Sequence, residues 1–235
     1  MEQLSGSACV GLRGDDRHNS GKTDNSSKPP SGTLPPPLDF SNLFGRMAPT
    51  QVDLGCGDGL FLFQMAQLYP DRNFLGIERL AKRVSKTARK AAQLDNMRVL
   101  RVETSVALEV LFAPGSIETF YLLFPDPWPK RRHHRRRIVT TEFLQSIDRA
   151  LAPNGILRIA TDHLDYFRHI QKVVAGCAIT QAFGDGFDHL NRSGSVRFEI
   201  LNEVEEFPKT RFEQRFSAAG WPIYRLSLRK TSPVT

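Results

Sequence analysis

From residue 39 onward the chain alternates short apolar runs with stretches whose positions recur at helical spacing, and clusters of glycine and proline separate them. Residues 51–54 read as a strand that runs into a glycine turn. A helix is predicted over 60–68, where Leu60, Phe63, Gln64, Gln67 and Leu68 fall on one spacing. Residues 73–77 form a second apolar strand, 81–94 a basic amphipathic helix, and 97–102 and 119–124 a third and fourth strand. The segment 139–151 is predicted to be helical and to stop before Pro153-Asn154-Gly155, a strong turn signal. A fifth strand follows at 156–160 and another helix at 165–174. Towards the C-terminus, 196–204 and 222–228 read as strands, with a helix over 211–219 between them. Such alternation predicts a doubly wound α/β domain around a largely parallel sheet. Ligands of such sheets sit beyond the carboxyl ends of the strands.

Residues 1–38 differ in texture. They are rich in Gly, Ser, Asn, Asp and Pro, lack apolar periodicity and end in Pro35-Pro36-Pro37. Such a stretch buries too little surface to offset its ordering entropy, so 1–38 is expected to be a disordered tail or linker ahead of a domain at 39–235. It has no apolar core of a secretory signal, and no run of 18 apolar residues occurs in the chain, so no membrane span is expected. Cys9, Cys56 and Cys177 are scattered and lack C-x-x-C spacing. Neither a disulfide framework nor a zinc site is expected, and a reducing, cytoplasmic setting fits.

Charge sharpens the picture. The net charge is +7, and residues 130–137, Lys-Arg-Arg-His-His-Arg-Arg-Arg, supply six formal positive charges. Without them, 26 basic residues face 25 acidic ones. Charge concentrated in this way predicts a phosphate-rich partner. Six phosphate contacts to a single strand would give a salt-dependence slope of about −4. The adjacent His133 and His134 cannot easily reach one ion, so no metal is expected.

The glycine turn reads Asp53-Leu54-Gly55-Cys56-Gly57-Asp58-Gly59. A dinucleotide fingerprint needs a glycine where Leu60 stands, which argues against a nicotinamide enzyme. G-x-G-x-G after an acidic residue instead resembles the first motif of class I methyltransferases. Their cofactor, S-adenosylmethionine, carries no pyrophosphate but has a cationic amino-acid end and a sulfonium. Asp53 is expected to place negative charge near that end, with Gly55 and Gly57 allowing close approach. Glu78 closes the second strand and is expected to accept from the ribose hydroxyls; Glu103, after the third, is a candidate for the adenine amino group.

The segment Phe124-Pro125-Asp126-Pro127-Trp128-Pro129 lies at the carboxyl end of the fourth strand. Three prolines stiffen it and hold Asp126 with little freedom, which suits a site that works by positioning. The string FPDPWPKRRHHRRR, together with DLGCGDG and GIER, resembles the tRNA (guanine-N7)-methyltransferases over about Leu38 to Lys230. Ala160-Thr161-Asp162 and Thr210-Arg211-Phe212-Glu213 extend the likeness. It implies a Rossmann-like class I methyltransferase sheet, mostly parallel with an antiparallel strand near the C-terminus. It also implies a methyl transfer to guanine N7 of tRNA, in the variable loop. Asp53, Glu78, Glu103 and Asp126 would then line the cofactor site, with Asp126 the catalytic residue. Lys130, Asp162, Thr210, Arg211, Phe212 and Glu213 would contact the nucleoside. The likeness departs where the family commonly has Glu for Asp53, Asp for Glu103 and Trp for His163.

Guanine N7 has a free lone pair at neutral pH, so the reaction demands no general base. Catalysis is expected from in-line alignment and from carboxylates, Asp126 with Asp162 nearby, that stabilise the positive charge passing to the purine. Trp128 and Phe212 are expected either to stack on the base or to pack. Cofactor and base motifs share one chain, so no obligatory protein partner is expected, and the chain would act as a monomer or homodimer. Two other readings stay open: an amino-group methyltransferase, whose D/N-P-P-Y/F turn Asp126-Pro127-Trp128 loosely resembles, and a non-catalytic RNA-binding protein on a methyltransferase fold.

Overall fold

Every residue of β2 (Thr50–Leu54) and of β3 (Asn73–Glu78) is buried, as befits strands covered on both faces. In the computed structural model, which describes residues 9–11, 36–179, 198–201 and 207–231, these strands lie inside an eight-stranded sheet. Its other strands are β1 (Cys9–Gly11), β4 (Met97–Arg101), β5 (Ile117–Leu123), β6 (Leu151–Thr161), β7 (Phe198–Leu201) and β8 (Tyr224–Lys230). They follow the order β1-β4-β3-β2-β5-β6-β8-β7. All pairings from β1 to β6 are parallel, whereas β8 runs antiparallel to both of its neighbours. The expected doubly wound, mostly parallel sheet with one reversed strand near the C-terminus is therefore present.

From β2 the chain builds outward through β3 to β4, then returns to add β5 and β6 on the other side. The gap between β2 and β5 is thus the switch point at which their connections diverge, the place where such sheets open a crevice. Helices cover both faces. On one, α1 (Phe40–Phe44), α4 (Thr104–Val110), α5 (Thr141–Ala150) and α6 (Leu164–Ile179) pack Phe44, Leu108, Leu144 and Tyr166 over Val52, Ile77 and Phe120. On the other, α2 (Leu60–Leu68) and α3 (Ala81–Ala91) lay Leu62, Met65 and Ala91 against Phe74, Met97 and Tyr121. A last helix, α7 (Arg211–Ala218), precedes β8 and contributes no buried residue.

Several elements differ from expectation. Helices α1 and α4 were not predicted; α1 is capped by Asp39, whose carboxylate accepts from the Ser41 and Asn42 amides, and ends at a left-handed Gly45. Within the stretch expected to be a tail, Cys9–Gly11 pair with β4, while 1–8 and 12–35 lie outside the described residues. The turn signal Pro153-Asn154-Gly155 does not precede β6 but interrupts it. Leu151 pairs with Ile117 and Ile156 with Thr119, so the intervening residues bulge outward, with Asn154 at φ 61°. Of the strand expected at 196–204, only 198–201 is described.

Candidate active site

The glycine turn sits at the carboxyl end of β2, on one side of the switch point. Gly55 and Gly57 have φ of 83° and 59°, a region costly for other residues, and open space lies where a side chain would project. Gly59 is constrained by packing as well: a Cβ there would come within 2.5 Å of the Thr87 methyl group. The Thr87 hydroxyl and the Lys90 ammonium donate to the carbonyls of Gly57 (3.1 Å) and Asp58 (2.6 Å), fastening the turn to α3.

Two carboxylates stand under this turn. Glu78 is 4% exposed and accepts from the amides of Gly57 (3.2 Å) and Leu80 (2.8 Å), so its position is set by backbone. Each oxygen retains a further lone pair for a ligand hydroxyl. Asp53 is equally buried, with no hydrogen bond to a protein donor among the described residues. Burial first, and then the Glu78 charge, push its carboxyl up to about 7. A buried carboxylate without a cation is an unfavourable arrangement that a cationic ligand would relieve. An open turn, a fixed diol acceptor and an uncompensated buried carboxylate together fit S-adenosylmethionine. Glu103 is the outlying member: it begins α4 with a half-exposed side chain, 3.9 Å from the Arg79 guanidinium.

Across the switch point, β5 runs into Phe124-Pro125-Asp126-Pro127-Trp128-Pro129. Phe124 and Trp128, each followed by a proline, lie at φ 55° and 45°. Bulky residues in this region store strain of about 1–3 kcal/mol each. Two kinks thus flank Asp126 and leave its side chain exposed at the strand end. Asp162, half-buried, follows β6 on the neighbouring strand end. His163, where the family commonly has Trp, is a helix cap: its Nδ1 accepts from the Tyr166 amide at the start of α6 (3.3 Å).

The basic run forms a 3-10 helix over Arg131–Arg136, preceded by an exposed Lys130. It is not one uniform surface. Arg137 is 4% exposed, donating to the Pro127 carbonyl (3.0 Å) and to Asp165 (2.5 Å) with its guanidinium over the Tyr166 ring. The Arg137 hydrogen bond holds the Asp165 carboxyl below the usual range. Arg137 therefore anchors the segment, and the expected six phosphate contacts reduce to five exposed cations. Trp128 is engaged inside the segment, edge-on to His133 with Arg136 over its ring, which favours packing over base stacking.

The segment 210–213 reaches the site from the other end of the chain. Thr210 caps α7, its hydroxyl accepting from the Glu213 amide (3.0 Å). Glu213, largely buried, is bound by Arg225 of β8. Both residues thus build the start of α7, and the T-x-x-E spacing signals a helix cap that sequence reading passed over. Arg211 pairs with Asp58 inside the glycine turn (2.7 Å), while Asp58 also accepts from the Leu60 amide. This tie brings the expected nucleoside segment against the expected cofactor turn. Asp58 was missed; its signal was a charge at the second of the two free positions within G-x-G-x-G. Phe212 is half-exposed and stacks on Phe124 at 6.3 Å.

A doubly wound sheet with an acidic residue, a glycine turn and a second carboxylate at its switch point defines a class I methyltransferase. Residues 47–226 match the family described as "Putative methyltransferase". The chain belongs, within that class, to the tRNA (guanine-N7)-methyltransferase family. It is 37% identical over 194 residues to the tRNA (guanine-N(7)-)-methyltransferase of Leifsonia xyli subsp. xyli, covering 82% of this chain and 81% of that protein. It is 34% identical over 205 residues to that of Alkalilimnicola ehrlichii, covering 86% and 80%. Among solved structures, the 16S rRNA methyltransferase KamB has a TM-score of 0.52 at 13% identity, covering 86% of this chain and 97% of that one. The aminoglycoside resistance methyltransferase NpmB1 has a TM-score of 0.51 at 19% identity, covering 82% and 92%. These two share the fold.

Proposed function

We propose that the protein transfers a methyl group from S-adenosylmethionine to N7 of a guanine in tRNA, in the variable loop. The reaction rests on one observation: a buried carboxylate without a cation, Asp53, lies across the switch point from an exposed and backbone-braced one, Asp126. The first suits a cationic cofactor, the second an incoming base. The substrate rests on the names of the relatives and on the exposed cations of 130–136.

When bound, S-adenosylmethionine supplies an electrophilic methyl group. Asp53 holds its cationic end, Glu78 its ribose hydroxyls, and Gly55 and Gly57 give it room. Asp126, with Asp162 nearby, orients the purine and stabilises the positive charge that it acquires. No residue need take a proton first, because N7 offers a lone pair. A loop nucleotide reaches this site at lower unstacking cost than one in a duplex. All these groups come from one chain, so no obligatory protein partner is needed, and monomer or homodimer would serve. No helix among the described residues is long and apolar enough to cross a membrane. Cys56 and Cys177 are free and buried, in keeping with a reducing, cytoplasmic setting.

Incubation of the protein with labelled S-adenosylmethionine and unmodified bulk tRNA, followed by nucleoside analysis, tests the reading. Labelled 7-methylguanosine is expected. Asp126→Ala should lower turnover roughly 10²-fold while changing cofactor affinity little. A neutral, exocyclic methylamine product would move the reaction to amino groups, and cofactor binding without transfer would remove tRNA as the substrate.

A further inference from the structure

We infer that the rings Phe124, Phe212, Phe216 and Trp221 form a stacking platform for an unpaired nucleotide flanking the methylated guanine. The inference rests on the tRNA reading above and extends it outward from Phe212 to Phe216 and Trp221, beyond the residues expected to contact the nucleoside. Phe124, Phe212 and Phe216 have ring centres 6.0–6.3 Å apart at interplanar angles of 23–36°, and Trp221 stacks on Phe216 at 5.8 Å and 25°. The cluster begins at the strained end of β5, two residues from Asp126, and passes outward along α7, whose first turn meets the glycine turn through Arg211. It therefore leads from the reacting position to the surface.

Its outer rings are uncovered. Phe212 is 50% and Trp221 58% exposed, and Phe216 is the only ring that Trp221 meets among the described residues. No apolar residue of helix α7 is fully buried, so its rings contribute little to the core. Large aromatics gathered and left open mark a binding surface. Charge selects the occupant: Lys209, Arg211 and Arg215 neighbour these rings in the chain and are all exposed, with Arg211 held by Asp58. Aromatic faces bordered by cations suit single-stranded nucleic acid, in which bases stack on the rings and phosphates meet the charges. Base stacking reads no base edges, so this contact would tolerate any flanking nucleotide.

The affinity of the full-length chain for unmodified tRNA, measured across a salt series, tests the inference. Trp221→Ala should weaken binding about five- to hundred-fold at every salt concentration. The slope against salt should not change, because no phosphate contact is lost. Trp221→Phe should bind nearly as wild type, and Trp221→Leu as weakly as Ala, because leucine is apolar but has no ring face. Affinity for S-adenosylmethionine should be the same in all three, which reports an intact fold. Binding by Trp221→Ala within twofold of wild type would overturn the inference, as would full rescue by leucine, which would show that apolar bulk without a ring face suffices. Both outcomes leave wild-type formation of 7-methylguanosine untouched, so they are distinct from failure of the tRNA reading, which the wild-type arm shows by itself.

Discussion

Asp53 lies near the end of β2 with its carboxylate buried and Glu78 as a neighbouring negative charge, and this conflict favours its protonated form. Its folded value of about 7 lies above the ordinary 3.8. Below the ordinary value, folded and unfolded chains both carry the proton and the fold loses nothing. As pH rises, the unfolded chain ionises first, and stability falls until Asp53 itself ionises near 7, after which the loss is constant. Asp53→Asn should therefore raise the Tm of the cofactor-free protein more at a pH of about 8 than at about 4. Equal gains at the two would refute the assignment. Because the cationic cofactor favours the ionised form, its affinity should decline as pH falls below about 7, by up to about tenfold per unit, and the Asn variant should lose that dependence. Calorimetric titration at several pH values measures both. Asp53 could be singled out in the sequence because it precedes the glycines; its lack of a donor could not, since that depends on what the fold withholds.

The basic 3-10 helix shows how far an element can be read from composition. A run of like charges names a surface but does not say which member turns inward, and only Asp165, on α6, reveals that Arg137 does. With Lys130, Arg131, Arg132, Arg135 and Arg136 exposed, this run should contribute about −3.5 to the salt slope of tRNA binding, at roughly 0.7 per contact. Neutralising Arg131, Arg132 and Arg135 should bring that contribution to about −1.4 with little change in Tm. Arg137→Ala should do the opposite, lowering Tm by several degrees while leaving the slope almost unaltered; a large change of slope would return Arg137 to the RNA surface. Strands β2 to β5 were legible because apolar runs covered on both faces are hard to mistake. Helices α1 and α4, with five and seven residues, are too short for a helical period to repeat. The segment 210–213 was recognised by likeness, while its cap geometry, plain in the spacing, passed unnoticed.

Over the whole molecule, the switch point could be expected from the alternation of elements, but the placing of the C-terminal strands could not. Strand β8 comes last among the described strands yet lies between β6 and β7, paired with β6 over Tyr224–Arg229 and with β7 over Ser227–Lys230. Its Lys230 donates to the carbonyls of Asp148 and Leu151, and its Arg225 binds Glu213. A chain ending at residue 223 should lose β7 along with β8, expose the edge of β6 and release α7; circular dichroism and cofactor titration should find it misfolded and unable to bind. Retention of cofactor binding would show that the parallel part of the sheet stands alone. A ribosome makes β8 only after β6 and β7. The nascent protein must therefore wait, with one sheet edge open, until β8 has emerged before it can become an enzyme, and a frameshift just ahead of β8 would cost as much as an early one.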